Sequence, residues 1–115
     1  MRVTTDFWVS AIMRRAFSEG GFAAIVRRGS SEAGAVFLLT RDRFGESRLY
    51  APAPQSSYDA KQPEERSFVE ALRSSDDEEI SRRIERETRF DSDVWVVELE
   101  VSEAIFVQLV SVMTP

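Results

Sequence analysis

The chain contains no cysteine and no histidine. The first absence excludes disulfides, thiolate nucleophiles and cysteine-based zinc sites. The second removes the commonest general base and the commonest metal ligand. Catalysis would fall to Asp, Glu, Tyr, Ser, Thr, Arg or the single lysine, Lys61. A metal would have to be a hard cation on carboxylates and carbonyls. Glycine is scarce, and neither phosphate-loop nor dinucleotide-binding glycine spacing occurs, so no cofactor is implied. No segment approaches the roughly 18 apolar residues that cross a bilayer, and no membrane partner is expected. The opening MRVTTDFWVSAIMRR has its apolar stretch broken by Asp6, Ser10 and Arg14–Arg15. It does not read as an export signal, so the expected location is the cytoplasm.

What is present suits a globular domain. At 115 residues the expectation is a single domain over residues 1–115, long enough to bury about two-thirds of its unfolded surface. Charge is uneven: residues 1–57 carry a net +3 and residues 58–115 a net −8, within an overall −5. All but one of the basic residues are arginine, whose planar fork grips carboxylate and phosphate in a bidentate way that lysine does not. The two halves either attract each other within the fold, or one of them meets a charged partner.

Periodicity predicts the elements. A first helix spans about Asp6–Glu19, with Thr5 as N-cap and Gly20–Gly21 as the stop. Trp8, Val9, Ile12, Met13, Ala16 and Phe17 share one arc of it, and Phe7 points away yet is expected to be covered within the chain. Two apolar strands, Phe22–Arg28 and Gly34–Thr40, flank a Gly/Ser loop and read as a hairpin, with the second strand at the sheet centre. The segment Arg41–Ser47, with Gly45, reads as another hairpin turn into a strand at Arg48–Ala51 that ends at Pro52. Residues 53–63 form a loop carrying Tyr58, Ser56, Ser57 and Lys61, and residues 64–73 read as a strand, with a helical turn as the alternative. A second helix starts at the capping box Ser75–Glu78, lays Glu78–Arg82, Glu79–Arg83 and Glu85–Arg89 at favourable spacing, and touches the core only through Ile80 and Ile84. A strand at Val94–Val101 follows, and residues 102–115 read as an extra strand or an interface tail.

Two clusters carry chemical interest. Arg14, Arg15, Arg27 and Arg28 would make a patch for the phosphates of RNA or a nucleotide, set against pairing with the chain's own acids. Asp91 and Asp93, near Glu98 and Glu100, would serve a Mg²⁺-dependent phosphate-ester enzyme, set against ordinary turn chemistry at the strand entrance. Tyr50 and Tyr58 flank a Pro-rich segment of a kind that partners recognise, set against packing at a sheet edge.

Three stretches carry a resemblance: DFWVSAIMRRAFSEGGFAAIVRRGSSEAGAVFLLTRD, RLYAPAPQ and RETRFDSDVWVVELE. Over about Thr5–Glu100 the chain resembles a set of short, mainly alphaproteobacterial proteins known only as a domain of unknown function. Its most distinctive pieces are Arg28–Ala35 and Asp91–Glu98. The resemblance implies a single cytoplasmic domain and no activity, cofactor or catalytic residue.

The expected architecture is α+β, in the order α-β-β-β-(β)-α-β: one mixed or mainly antiparallel sheet of four or five strands, one helix packed across it and a more exposed second helix. The expected role is a non-catalytic binding or interaction module, self-associating through the C-terminal strand or tail. RNA or nucleotide binding and the Mg²⁺ enzyme are the alternatives.

Overall fold

A computed structural model of the chain describes residues 3–54 and 66–114. The expected loop carrying Ser56, Ser57, Tyr58 and Lys61 therefore lies outside the described residues. The elements run α1 (Thr5–Ser18), β1 (Phe22–Arg27), β2 (Val36–Arg41), β3 (Ser47–Pro52), β4 (Ser67–Ser74), α2 (Asp77–Phe90), β5 (Trp95–Glu100), α3 (Glu103–Leu109) and β6 (Ser111–Val112). The fold is α+β with one mixed six-stranded sheet, ordered β1-β5-β2-β3-β4-β6.

β2, β3 and β4 form an antiparallel meander, as their turn residues predict. Gly45 takes φ +88° in the β2–β3 turn. Asp42 holds that turn by accepting the backbone N–H groups of Phe44 (2.8 Å) and Glu46 (3.0 Å). The strand alternative for residues 64–73 is the one formed, as β4. The expected β1–β2 hairpin does not form. β5 lies between the two strands, antiparallel to β1 and parallel to β2.

The cause is visible in the β1–β2 loop. A Cβ at Gly29 or at Gly34 would collide with the Asp93 carbonyl oxygen and crowd the Trp95 ring. Both glycines thus leave room for the start of β5 to enter. Ser30 N–H donates to the Asp93 carbonyl at 3.0 Å, and Trp95 Nε1–H donates to the Ser30 carbonyl at 2.7 Å. The entering strand consequently replaces the hairpin partner that each flanking strand would otherwise have had. The two most distinctive sequence pieces, Arg28–Ala35 and Asp91–Glu98, are two sides of this one interlock.

Both sheet faces carry core. Val36, Leu38, Tyr50, Phe68, Trp95, Val97 and Leu99 pack on one face beneath Val9, Ile12 and Ala16 of α1 and Phe106 of α3. Phe37, Leu49, Val94 and Val96 pack on the other face with Ile84 of α2. β4 and β5 point the same way, as do β5 and β6, so α2 and α3 are parallel crossovers. They move across the sheet in opposite directions on opposite faces, which gives both the same hand.

Several local expectations shift. α1 is capped by Thr4, whose side chain accepts Phe7 N–H. Thr5 is instead buried inside the helix, donating to the Gly34 carbonyl and accepting from Arg66. α1 ends in a Schellman arrangement, with Gly20 at φ +82° and Gly21 N–H returning to the Ala16 carbonyl. Phe7 is 65% exposed, because it lies opposite the buried face of α1 and no described element reaches it. α2 is capped by Asp76 rather than Ser75, its carboxylate accepting Glu78 N–H. Of the three predicted ion pairs on α2, Glu78–Arg82 forms at 3.6 Å, while Arg83 turns to Glu87 at 2.7 Å and Glu79 accepts from Ser74. The tail is a helix before it is a strand: Ser102 caps α3, and Phe106 and Val110, one turn apart, bury against the sheet.

Candidate functional site

The four arginines singled out in the sequence occupy two regions. Arg27 leaves β1 with Nη2 donating to the Ser92 carbonyl at 3.0 Å, and its Nε is enclosed without a partner. Arg28 lies 5.0 Å over the Trp95 ring and 3.4 Å from the Asp6 carboxylate at the start of α1. Arg14 and Arg15 are exposed further along α1. From Asp6 to Arg15 is roughly 13 Å along the helix axis at 1.5 Å per residue. Arg15 lines a separate hollow of about 450 Å³ with Trp8 and Arg66, against the end of α3. There, burial lowers the pKa of Arg66, whose Nη2 donates to Thr5 Oγ1 at 2.7 Å.

The acidic cluster is likewise divided. Asp91 Oδ1 accepts Asp93 N–H at 3.0 Å, a turn closed on its own backbone. Glu98 lies five residues along β5 from Asp93, roughly 16 Å at the strand rise. Among the described residues no three metal-ligating side chains converge. The Arg27–Arg28 corner and the Asp91–Asp93 turn do meet at one end of the sheet, but through backbone carbonyls rather than across a cleft. Glu98 has its pKa raised, chiefly by burial and then by the neighbouring Glu100 carboxylate, with Arg41 opposing.

A concavity opens at the opposite end, between the β2–β3 turn and the β5–α3 junction. This groove of about 610 Å³ has Tyr50 and Phe106 in its lining. Both are buried, with ring centroids 5.0 Å apart, and form an aromatic floor. Arg48 stands beside this floor, 3.6 Å from Glu103 and 3.8 Å from Glu46, and its pKa is raised chiefly by the Tyr50 hydroxyl. Arg41 is drawn to Asp77 at 2.7 Å and to Ser47. Arg43 lies 5.2 Å over the Phe44 ring and makes no ion pair among the described residues. Asp42, acceptor of the turn amides, is held below the usual carboxylate range chiefly by the Glu46 N–H.

Three arginines and three acids line the groove, so its rim is electrically balanced. A second hollow of about 490 Å³ shares Arg41, Asp42, Arg43, Val101 and Ser102 with it and continues toward Glu19 and Gly20–Gly21. Sequence reasoning found Tyr50 but missed the groove. Its far wall belongs to α3, and the β-branched composition of the tail reads as strand. The available signal was Ser102 followed by Phe106 and Val110, a cap with an i, i+4 apolar pair.

A family model described as a protein of unknown function, DUF1491, matches residues 3–107. The solution structure of protein Atu0922 from A. tumefaciens is 44% identical, with 100% of this chain and 98% of that one covered and a TM-score of 0.83. A crystal structure of a DUF1491 family protein from Caulobacter crescentus is 37% identical over 88% of each chain, with a TM-score of 0.71. An NMR structure of a DUF1491 family protein from the same bacterium is 36% identical, covering 90% of this chain and 89% of that one, with a TM-score of 0.71. No curated protein matches the chain.

Proposed function

Because the chain belongs to the DUF1491 family, described only as proteins of unknown function, we propose a role from its own geometry: a non-catalytic module that binds an extended segment of a partner protein. The segment lies in the groove between the β2–β3 turn and α3. The observation that carries this reading is the buried Tyr50–Phe106 floor beneath a rim of balanced charge. Two aromatic rings tilted 39° to each other make an apolar floor that suits one apolar side chain, and mixed donors and acceptors around it suit a peptide. A polyanion would want a net positive wall, which the pairing of Arg48 with Glu46 and Glu103 does not supply. Nucleic-acid binding through Arg14, Arg15, Arg27 and Arg28 would further need those residues on one surface. Arg43 and the 81%-exposed Phe44 at the turn are the rim groups most available to a partner.

The test is selection of peptides from a random display library on the intact chain, followed by an NMR titration with the selected peptide. The expected peptides carry an aromatic or aliphatic anchor beside an acid and shift the amides of residues 40–44 and 101–106. Arg43→Glu and Phe44→Ala should each weaken binding about fivefold or more, at unchanged melting temperature. Peptides that shift only amides elsewhere would overturn the proposal. So would a failed selection alongside salt-sensitive binding of homopolymeric RNA.

A further inference from the structure

Among the described residues β1 is the outer strand on one side of the sheet, paired only with β5. Natural edge strands are normally blunted by charge, proline or bulges. Residues 22–26 of β1, Phe-Ala-Ala-Ile-Val, contain no charge and no proline. The bulge in β1 falls at Val26, the last residue of that run, and Phe22–Ile25 keep regular register with β5. Phe22 and Val26 are 49% and 50% exposed, and Phe22 meets the equally exposed Phe17 edge-on at 5.9 Å. On the other side of the sheet β6 pairs with only Ser67 and Phe68 of β4, and the rest of that edge carries Glu70 and Arg73, the charge that blunts an edge and that residues 22–26 of β1 lack, while the tail's Phe106 and Val110 are used in its own core.

Charge at the two ends of β1 is opposite. Glu19 precedes it and Glu100 lies across from Phe22, whereas Arg27 and Arg28 close it. We propose that this edge is the docking site for a second copy of the same chain. The two β1 strands pair antiparallel about a two-fold axis at Ala24. That register sets Phe22 of each copy opposite Val26 of the other. It also brings the Glu19–Glu100 end of one copy to the Arg27–Arg28 end of the other. Parallel pairing would bring like charges together, so the charge pattern selects the closed, self-complementary dimer. Alanine at the axis presents no side chain large enough to hold the strands apart. The two six-stranded sheets become one continuous sheet, and the groove plays no part in the contact.

The test is sedimentation equilibrium of the intact chain up to about 1 mM, the range a small edge contact requires, with NMR mapping over the same concentrations. The expected result is a concentration-dependent dimer whose shifts centre on residues 22–26. Val26→Lys should abolish it. Glu19→Arg and Arg28→Glu should each raise the dimer Kd about fivefold, and the double variant should return it to within about twofold of the wild type, because the pair then matches in reverse. Rescue in the double variant separates complementarity from damage to the Arg28–Asp6 contact. A strict monomer at the highest concentration would overturn the inference. A dimer insensitive to Val26→Lys whose shifts fall on Val112 and Met113 would overturn it too, by moving the contact to the C-terminal tail.

Discussion

At the scale of single residues, space and backbone angle separate glycines that look alike in the sequence. Gly45 sits at φ +88°, and a Cβ there would meet nothing within 4 Å. Gly45→Ala should cost only the left-handed backbone penalty, about 1 kcal/mol in urea unfolding. Gly29 has no such backbone requirement, but a Cβ there would strike the Asp93 carbonyl and lie 2.7 Å from the Trp95 ring. Gly29→Ala should cost about 3 kcal/mol by the same measurement, because strand entry rather than a turn is disturbed. Glu98 carries a pH dependence. Its pKa is raised above the ordinary 4.5, so folding takes up a proton. Its contribution to stability is therefore greatest at and below 4.5 and falls as pH rises through the folded-state value. Melting curves of Glu98→Gln should decline less than the wild type's between that point and neutrality. Equal declines would show that the neighbouring carboxylates dominate.

At the scale of elements, local signals located nearly every helix and strand but misplaced their ends and one pairing. The caps moved by one residue, from Thr5 to Thr4 and from Ser75 to Asp76, because adjacent residues offer chemically equivalent oxygens. The site of each cap follows from where the neighbouring side chain is needed. Thr5 is taken by Gly34 and Arg66, and only Thr4 remains at the helix mouth. The β1–β2 hairpin that the sequence predicts does not form, because two apolar arms and a polar loop equally describe a strand pair that admits a third strand between them. The link that decides between them is the hydrogen bond from Trp95 Nε1 to the Ser30 carbonyl, 65 residues away in sequence. Trp95→Phe keeps most of the buried ring and loses that bond. It should destabilise the protein by about 1–2 kcal/mol in urea unfolding, and a neutral result would mean that the glycines alone hold the interlock.

At the scale of the whole molecule, the parallel β2–β5 pair is the seam between the N-terminal part of the chain and everything after α2. Val36, Leu38, Trp95, Val97 and Leu99 on this seam are fully or almost fully buried. Amide hydrogen exchange should therefore be slowest in β2 and β5, and faster in β6, which is two residues long and held at the sheet margin. Exchange in β6 as slow as in β5 would show that the tail folds as part of the same cooperative unit. The uneven charge of the two halves is satisfied in part across this arrangement, with Arg28–Asp6 local to the first half but Arg41–Asp77 and Arg48–Glu103 joining first to second.

The sequence by itself determined the α+β class, the meander, the two long helices, the apolar stripe of α2 and the absence of thiol or imidazole chemistry. All of these follow from composition or from contacts within a few residues, which periodicity and turn residues record directly. Only the tertiary structure decided that β5 enters between β1 and β2, that Arg14–Arg15 and Arg27–Arg28 part company, and that Tyr50 and Phe106 meet beneath a groove. Each of those depends on which distant surfaces bury each other. A strand's alternation specifies which of its faces is apolar and leaves open which neighbour will cover it.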